Sequence, residues 1–271
     1  MTIRKSFHHR ANTILALVIL LFSAQLTLAQ KVNEDSLLEV IKSTKYDTAR
    51  VDAMLSLSNY QIKHRMQDST GLKTLVEARE LAGKINYEQG ILQCLLTTGN
   101  YYRGKNKWNN SMDAYYEIIE RCKTVKDDSL RERSKMMAYN NLGGIFNFNG
   151  DYQNSLSYRL KSMEIVEKLM PENYNNRAII YLNIASDYRQ LKIPSKGIGY
   201  LNKTAGFFTK LSGRLKMEFY NEYYENYIST DNTVKAISML DSIQQGLSGF
   251  DLSDFQKLDF SLMLAKLRGN H

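Results

Sequence analysis

The sequence predicts an all-α fold: a right-handed α-solenoid of about five helix pairs, followed by half of a further pair. Three observations lead there. First, one pattern returns about every forty residues, with first-helix anchors Ser58, Gly99, Gly143, Ala185 and, less well, Tyr224 at steps of 41, 44, 42 and 39. Second, only two prolines, Pro171 and Pro194, occur in 271 residues, and Leu, Met, Ala, Lys and Glu fill the intervals between polar turns, which is helix-forming composition. Third, no stretch long enough for a sheet alternates with period two. A fixed period of this length marks stacked helical units, which grow linearly and present an extended surface in place of one central pocket.

The chain opens on an export signal. Arg4, Lys5 and Arg10 precede an apolar run from Ile14 to Phe22 and small or uncharged residues up to Ala29, so residues 1–29 read as a signal peptide and the chain as exported to the periplasm. The alternative is an inner-membrane anchor over residues 11–30, because nothing from Ala11 to Gln30 is charged. No cysteine follows the apolar run, which argues against a lipoprotein anchor.

Residues 30–46 form a leading segment with a short helix over Asp35 to Ile41, and residues 47–249 form the array. Asp47-Thr48 offers an N-cap to a helix carrying Val51, Met54, Leu55 and Leu57; its partner, Ser69 to Ile85, carries Leu72, Leu75, Ala78, Leu81 and Ala82. Unit two spans Gly90 to Val125 and turns at Gly104-Lys105-Asn106-Lys107. Unit three spans Ser134 to Met170 and turns at Asn149-Gly150-Asp151. Unit four spans Asn176 to Leu211, with Pro194 opening its second helix. Unit five spans Lys216 to Leu247 and turns at Thr230-Asp231-Asn232. Residues 250–271 repeat first-helix spacing at Leu252, Phe255, Leu258, Leu262 and Ala265. Phe260, Met263 and Leu264 then lack a covering helix, which fits a homodimer surface or the cut edge of a longer protein.

Spacing inside the units is tighter than the period. Gly99 is followed by Tyr102 and Ser111, Gly143 by Phe146 and Ser155, Ala185 by Tyr188 and Gly197, and Tyr224 by Tyr227 and Ala236, at three and twelve residues each time. The first small residue lets two helices approach, the aromatic fills the space one turn later, and the second small residue meets the first across the pair. With Leu142-Gly143 and Gly150-Asp151-Tyr152 in unit three, and Trp108 and Tyr115 in unit two, this pattern resembles the tetratricopeptide repeat (TPR) family from about Thr48 to Leu247. The sequence departs from the family at bulky Tyr224, in a turn one residue longer between Ser58 and Gly71, and at Glu167, which replaces the helix-closing proline of unit three. Periods near forty also resemble the exported arrays that serve as sensory halves of membrane regulators in Bacteroidetes-like bacteria.

The resemblance implies a non-enzymatic scaffold that binds a protein or peptide in a concave face lined by the first helices. The positions pointing into that face are Gln93, Asn100 and Arg103 in unit two, Asn140 and Asn147 in unit three, Ser186 and Arg189 in unit four, and Asn221 and Glu225 in unit five. Amide and guanidinium groups there suit the backbone or carboxylate of an extended peptide; the same residues equally suit a solvated groove wall. The alternative function is the sensory module of a signal-transduction regulator, of histidine-kinase or helix-turn-helix type, lacking its membrane and output segments.

The sequence offers no catalytic, cofactor or metal set. After signal removal the histidines are His64 and His271, too few for a histidine-based metal site or nucleophile, and His64 reads as a solvated residue at a helix end. Gly143-Gly144 lies inside a helix and is no phosphate loop. Cys94 and Cys122 read as two buried thiols, with a bridge as the alternative in an oxidising compartment. Most of the eighteen tyrosines fall at interhelix positions and read as core residues with a polar tip. The formal charge, +8 falling to +5 without Arg4, Lys5 and Arg10, is mild and scattered, so nucleic acid is not an expected partner. A membrane is expected only if the signal segment is retained.

Overall fold

The computed structural model of the protein describes residues 34–64, 68–230, 235 and 238. The expected signal segment, the expected second helix of unit five, the expected C-terminal helix and the His64 side chain lie outside the described residues. Every described element is helical. The chain divides into two compact units, Met1–Tyr101 and Tyr102–His271.

In the first unit, α1 (34–43) leads into α2 (Asp47–His64), α3 (Asp68–Lys84) and most of α4 (Glu88–Gly104). Arg50 ties α1 to α2 by donating to the carbonyls of Ile41 and Thr44. The α2–α3 pair closes where the sequence places its small residues: the Ser58 hydroxyl donates to the Gly71 carbonyl at 2.8 Å, and a Cβ on Gly71 would stand 3.1 Å from the Ser58 carbonyl oxygen. Val51, Leu55, Leu57, Leu75, Ala78 and Ala82 are buried around that contact. Removing such side chains from water is the main favourable contribution to docking the two helices.

The second unit holds α5 (Trp108–Arg121), α6 (Asp128–Phe148), α7 (Tyr152–Leu169), α8 (Tyr174–Gln190), α9 (Pro194–Ala205), a 3₁₀ turn (Phe208–Lys210) and α10 (Gly213–Ile228). Three of these helices start on side-chain caps: Asp127 accepts from the Leu130 amide, Asp151 from Asn154 and Asn173 from Asn176. The Asp127 cap starts α6 six residues before the Ser134 expected from the apolar pattern, since capping fixes a terminus that a polar first turn conceals. Pro194 stands in the first turn of α9, as expected.

The α6–α7 and α8–α9 pairs approach closely at Gly143 with Ser155 and at Gly197 with Ala185. Aromatic rings fill the neighbouring space in a repeated arrangement. Tyr158 lies against Tyr139 and Phe146, and Tyr200 against Tyr181 and Tyr188. Lys161 and Lys203, each one turn further on, place their ammonium groups over these rings, an attraction from the ring quadrupole. The tyrosines therefore build the seams between paired helices.

Helix α9 ends at Ala205, short of the Leu211 expected from the sequence. Aromatic packing is the reason. Phe207 lies against Tyr174 and Tyr181, under the Arg177 guanidinium, whereas Phe208 packs on Phe219 and Tyr220. The bend after Gly206 delivers two consecutive rings to two separate clusters.

Four helices end in the same way. Asn86, Asn106, Gly150 and Lys192 adopt positive φ values of 55°, 55°, 79° and 64°. Around each, the next amide reaches back five residues: Tyr87 to Ala82, Lys107 to Tyr102, Asp151 to Phe146 and Ile193 to Tyr188. This Schellman closure satisfies the last carbonyls and reverses the chain within a few residues.

Candidate functional site

The described first helices of the second unit, α6, α8 and α10, are joined side by side by polar contacts. The Asn183 amide donates to the Asn140 oxygen at 3.3 Å, and the Asn147 amide to Asp187 at 2.7 Å. Arg189 then meets Glu222 at 3.4 Å and Glu225 at 3.8 Å. Asn140, Asn147, Arg189 and Glu225 are thus half-buried members of a row that runs from α6 through α8 to α10. Ser186 and Asn221 belong to the same helices, are half-exposed, and have no side-chain partner among the described residues. Arg103 is exposed, and its Nη1 lies 3.7 Å from where a Cβ on Gly144 would stand. In the first unit, Gln93 and Asn100 are exposed on α4.

Behind this row sits an ion pair. Arg159 of α7 and Asp187 of α8 are 2.7 Å apart, with side chains only 6% and 0% exposed. Ser155 donates to both Asp187 oxygens, and Arg159 also donates to the Asn183 carbonyl at 2.7 Å. Burial pushes the Asp187 carboxyl up, against the opposing effect of Arg159 and three hydrogen bonds. Burial likewise raises Glu222, with Arg189 opposing. Two charges withdrawn from water at this depth are tolerated only when paired and hydrogen-bonded. The pair therefore holds Asn147 and, through Asn183, Asn140 in fixed positions along the row.

Among the described residues no three His, Cys, Asp or Glu side chains cluster as a metal site would need. A cleft of about 650 Å³ between the start of α6 and the end of α7 includes Asp128, Glu132 and Glu164, but Arg131 holds Asp128 at 2.7 Å and Lys135 holds Glu132 at 3.0 Å. Carboxylates so neutralised are poor acid–base partners. The Cys94 and Cys122 thiols are buried. Burial pushes the Cys94 thiol up to about 12, so it is not a nucleophile at neutral pH.

Comparison with known proteins bears on the fold. Neither a protein-family model nor a curated protein matches the chain. A solved structure does: the nearly identical TPR-like repeats of a protein described as a kinesin light chain from Podosopora anserina. It superposes with a TM-score of 0.60 at 12% identity, over 78% of this chain and 100% of that one. The fold is a TPR-like helical array. At this identity the likeness establishes the architecture alone.

Of the residues expected on the concave face of the TPR-like array, Asn140, Asn147, Ser186, Arg189, Asn221 and Glu225 lie on α6, α8 and α10, Gln93, Asn100 and Arg103 lie outside that row, and the ion pair behind it was not expected from the sequence. Its signal was nevertheless present. Arg159 stands four residues after Ser155, where the other units have Tyr115 and Leu201; Asp187 stands two after Ala185, where unit three has Ile145. Opposite charges at core positions of adjacent units are complementary departures from the repeat.

Proposed function

We propose that the protein is an exported, non-enzymatic scaffold that binds an extended peptide segment of a partner protein along its first helices. The observation that carries this reading is the polar row on α6, α8 and α10. Asn140, Asn147 and Arg189 are held in place by partners, while Ser186 and Asn221 retain unused donors and acceptors beside them. An ordered row of amides and hydroxyls offers alternating donors and acceptors, which is what a peptide backbone presents. Fixing the row before binding lowers the entropy cost of association. Export rests on the residue pattern of positions 1–29.

The test uses peptides selected by display on the wild-type protein, with affinity measured by calorimetry. Ser186→Ala and Asn221→Ala should preserve the circular dichroism spectrum and together weaken binding by about tenfold, at roughly 0.5 to 1.5 kcal/mol per lost hydrogen bond. Selected peptides that bind the double variant as well as the wild type would return this face to a solvated wall.

A further inference from the structure

The turns that close α4–α5, α6–α7 and α8–α9 carry a feature that peptide binding does not use. Trp108, at the start of α5, packs its ring on Phe148 at the end of α6, with centroids 4.4 Å apart, and Phe148 remains 67% exposed. Ile193, in the next turn, is also exposed. Phe148 and Ile193 are thus large apolar groups that these turns leave in contact with water.

The α4–α5 and α8–α9 turns are basic, whereas the α6–α7 turn carries Asp151. Arg103 and Lys107 flank the Trp108 turn, and Lys192 and Lys196 flank Ile193; all four are exposed. Lys107 and Lys192 make no ion pair among the described residues. The acid nearest in sequence to Phe148 is Asp151, whose carboxylate is engaged by the Asn154 amide and side chain. On the connection between α5 and α6, by contrast, Lys123 and Lys126 are balanced by Asp127 and Asp128. Lys192 also holds a left-handed backbone position where Asn or Gly stands in the three matching turns. A lysine there raises the backbone energy relative to Asn or Gly.

We infer that these turns form a docking surface for an anionic lipid bilayer, with Trp108, Phe148 and Ile193 entering the interface and Arg103, Lys107, Lys192 and Lys196 meeting the headgroups. Aromatic rings favour the depth where hydrocarbon meets headgroups. Basic residues near an anionic surface each strengthen the attachment, within a Debye length. This contact is independent of residues 11–30 and of the polar row on α6, α8 and α10.

Trp108 is the one tryptophan of the chain, so its fluorescence reports this surface and no other. Full-length protein is titrated with phosphatidylglycerol-containing vesicles, pure phosphatidylcholine vesicles and soluble polyglutamate. The expected result is a blue shift of Trp108 emission with the anionic vesicles alone, suppressed by high salt. Lys107→Glu with Lys192→Glu should weaken the response by about 30-fold or more. Phe148→Ser, still folded by circular dichroism, should weaken it as well. An unshifted emission with every probe overturns the inference, even if the protein pellets with vesicles through its N-terminus. So does an equal shift with neutral vesicles, which would mean no headgroup recognition, or a shift with polyglutamate alone, which would mean an acidic protein partner.

Discussion

The guanidinium of Arg159 meets the carboxylate of Asp187 at 2.7 Å in a region closed to solvent, joining α7 of one pair to α8 of the next. Removing one partner leaves the other charged and buried. Asp187→Ala should therefore cost about 3 to 5 kcal/mol in urea unfolding. Replacing both, as Arg159→Met with Asp187→Leu, should recover most of that loss while releasing Asn147. A single variant as stable as the wild type would show that the pair is solvated in solution.

Two glycines on α9 separate close approach from helix propensity. A Cβ on Gly197 would stand 2.8 Å from the Ala185 carbonyl oxygen, whereas one on Gly199 would meet nothing within 4 Å. Gly199→Ala should raise stability by about 0.5 to 1 kcal/mol. Gly197→Ala should lower it by roughly 1 to 3 kcal/mol, because main chain must move. Thermal melts of the two variants should shift in opposite directions, and a shared sign would contradict the close α8–α9 contact.

Glu222 sets a pH dependence. Burial raises its pKa above the unfolded value, with Arg189 opposing and Glu225 adding to the rise. A raised carboxyl favours the native state in its neutral form. That contribution is complete below the unfolded value, near 4.3, and is lost as pH rises through the folded value. The melting temperature of the wild type relative to Glu222→Gln should therefore fall as pH rises above about 4. A difference that grows with pH would mean that Arg189 outweighs burial.

Cys94 and Cys122 should behave as inert, enclosed thiols. Burial drives the Cys94 thiol up to about 12, with Arg79 opposing and Asp52 adding, and Cys122 is closed to solvent, so neither cysteine should react with a disulfide reagent at pH 8 until urea is added. Two thiols should then titrate. A mass lower by two protons before reduction would instead establish the bridge.

The helical class, the repeat and the residues of closest approach were legible in the chain before any packing was known. Ser58 with Gly71, Gly143 with Ser155 and Ala185 with Gly197 could be read from spacing because helix geometry ties chain separation to facing direction. Pro194 and the turn at Gly150 were legible for the same reason, since their backbone preferences are local. Tertiary structure decided what depends on neighbours distant in the chain. It ended α9 at Ala205 to send Phe207 and Phe208 to different partners. It also withdrew Asn147 and Arg189 of the polar row into contacts with Asp187, Glu222 and Glu225. Spacing shows which face a side chain occupies, but not whether a complementary charge from another helix reaches it before water or a ligand does. That outcome depends on desolvation and pairing energies, which exist only once the helices are packed.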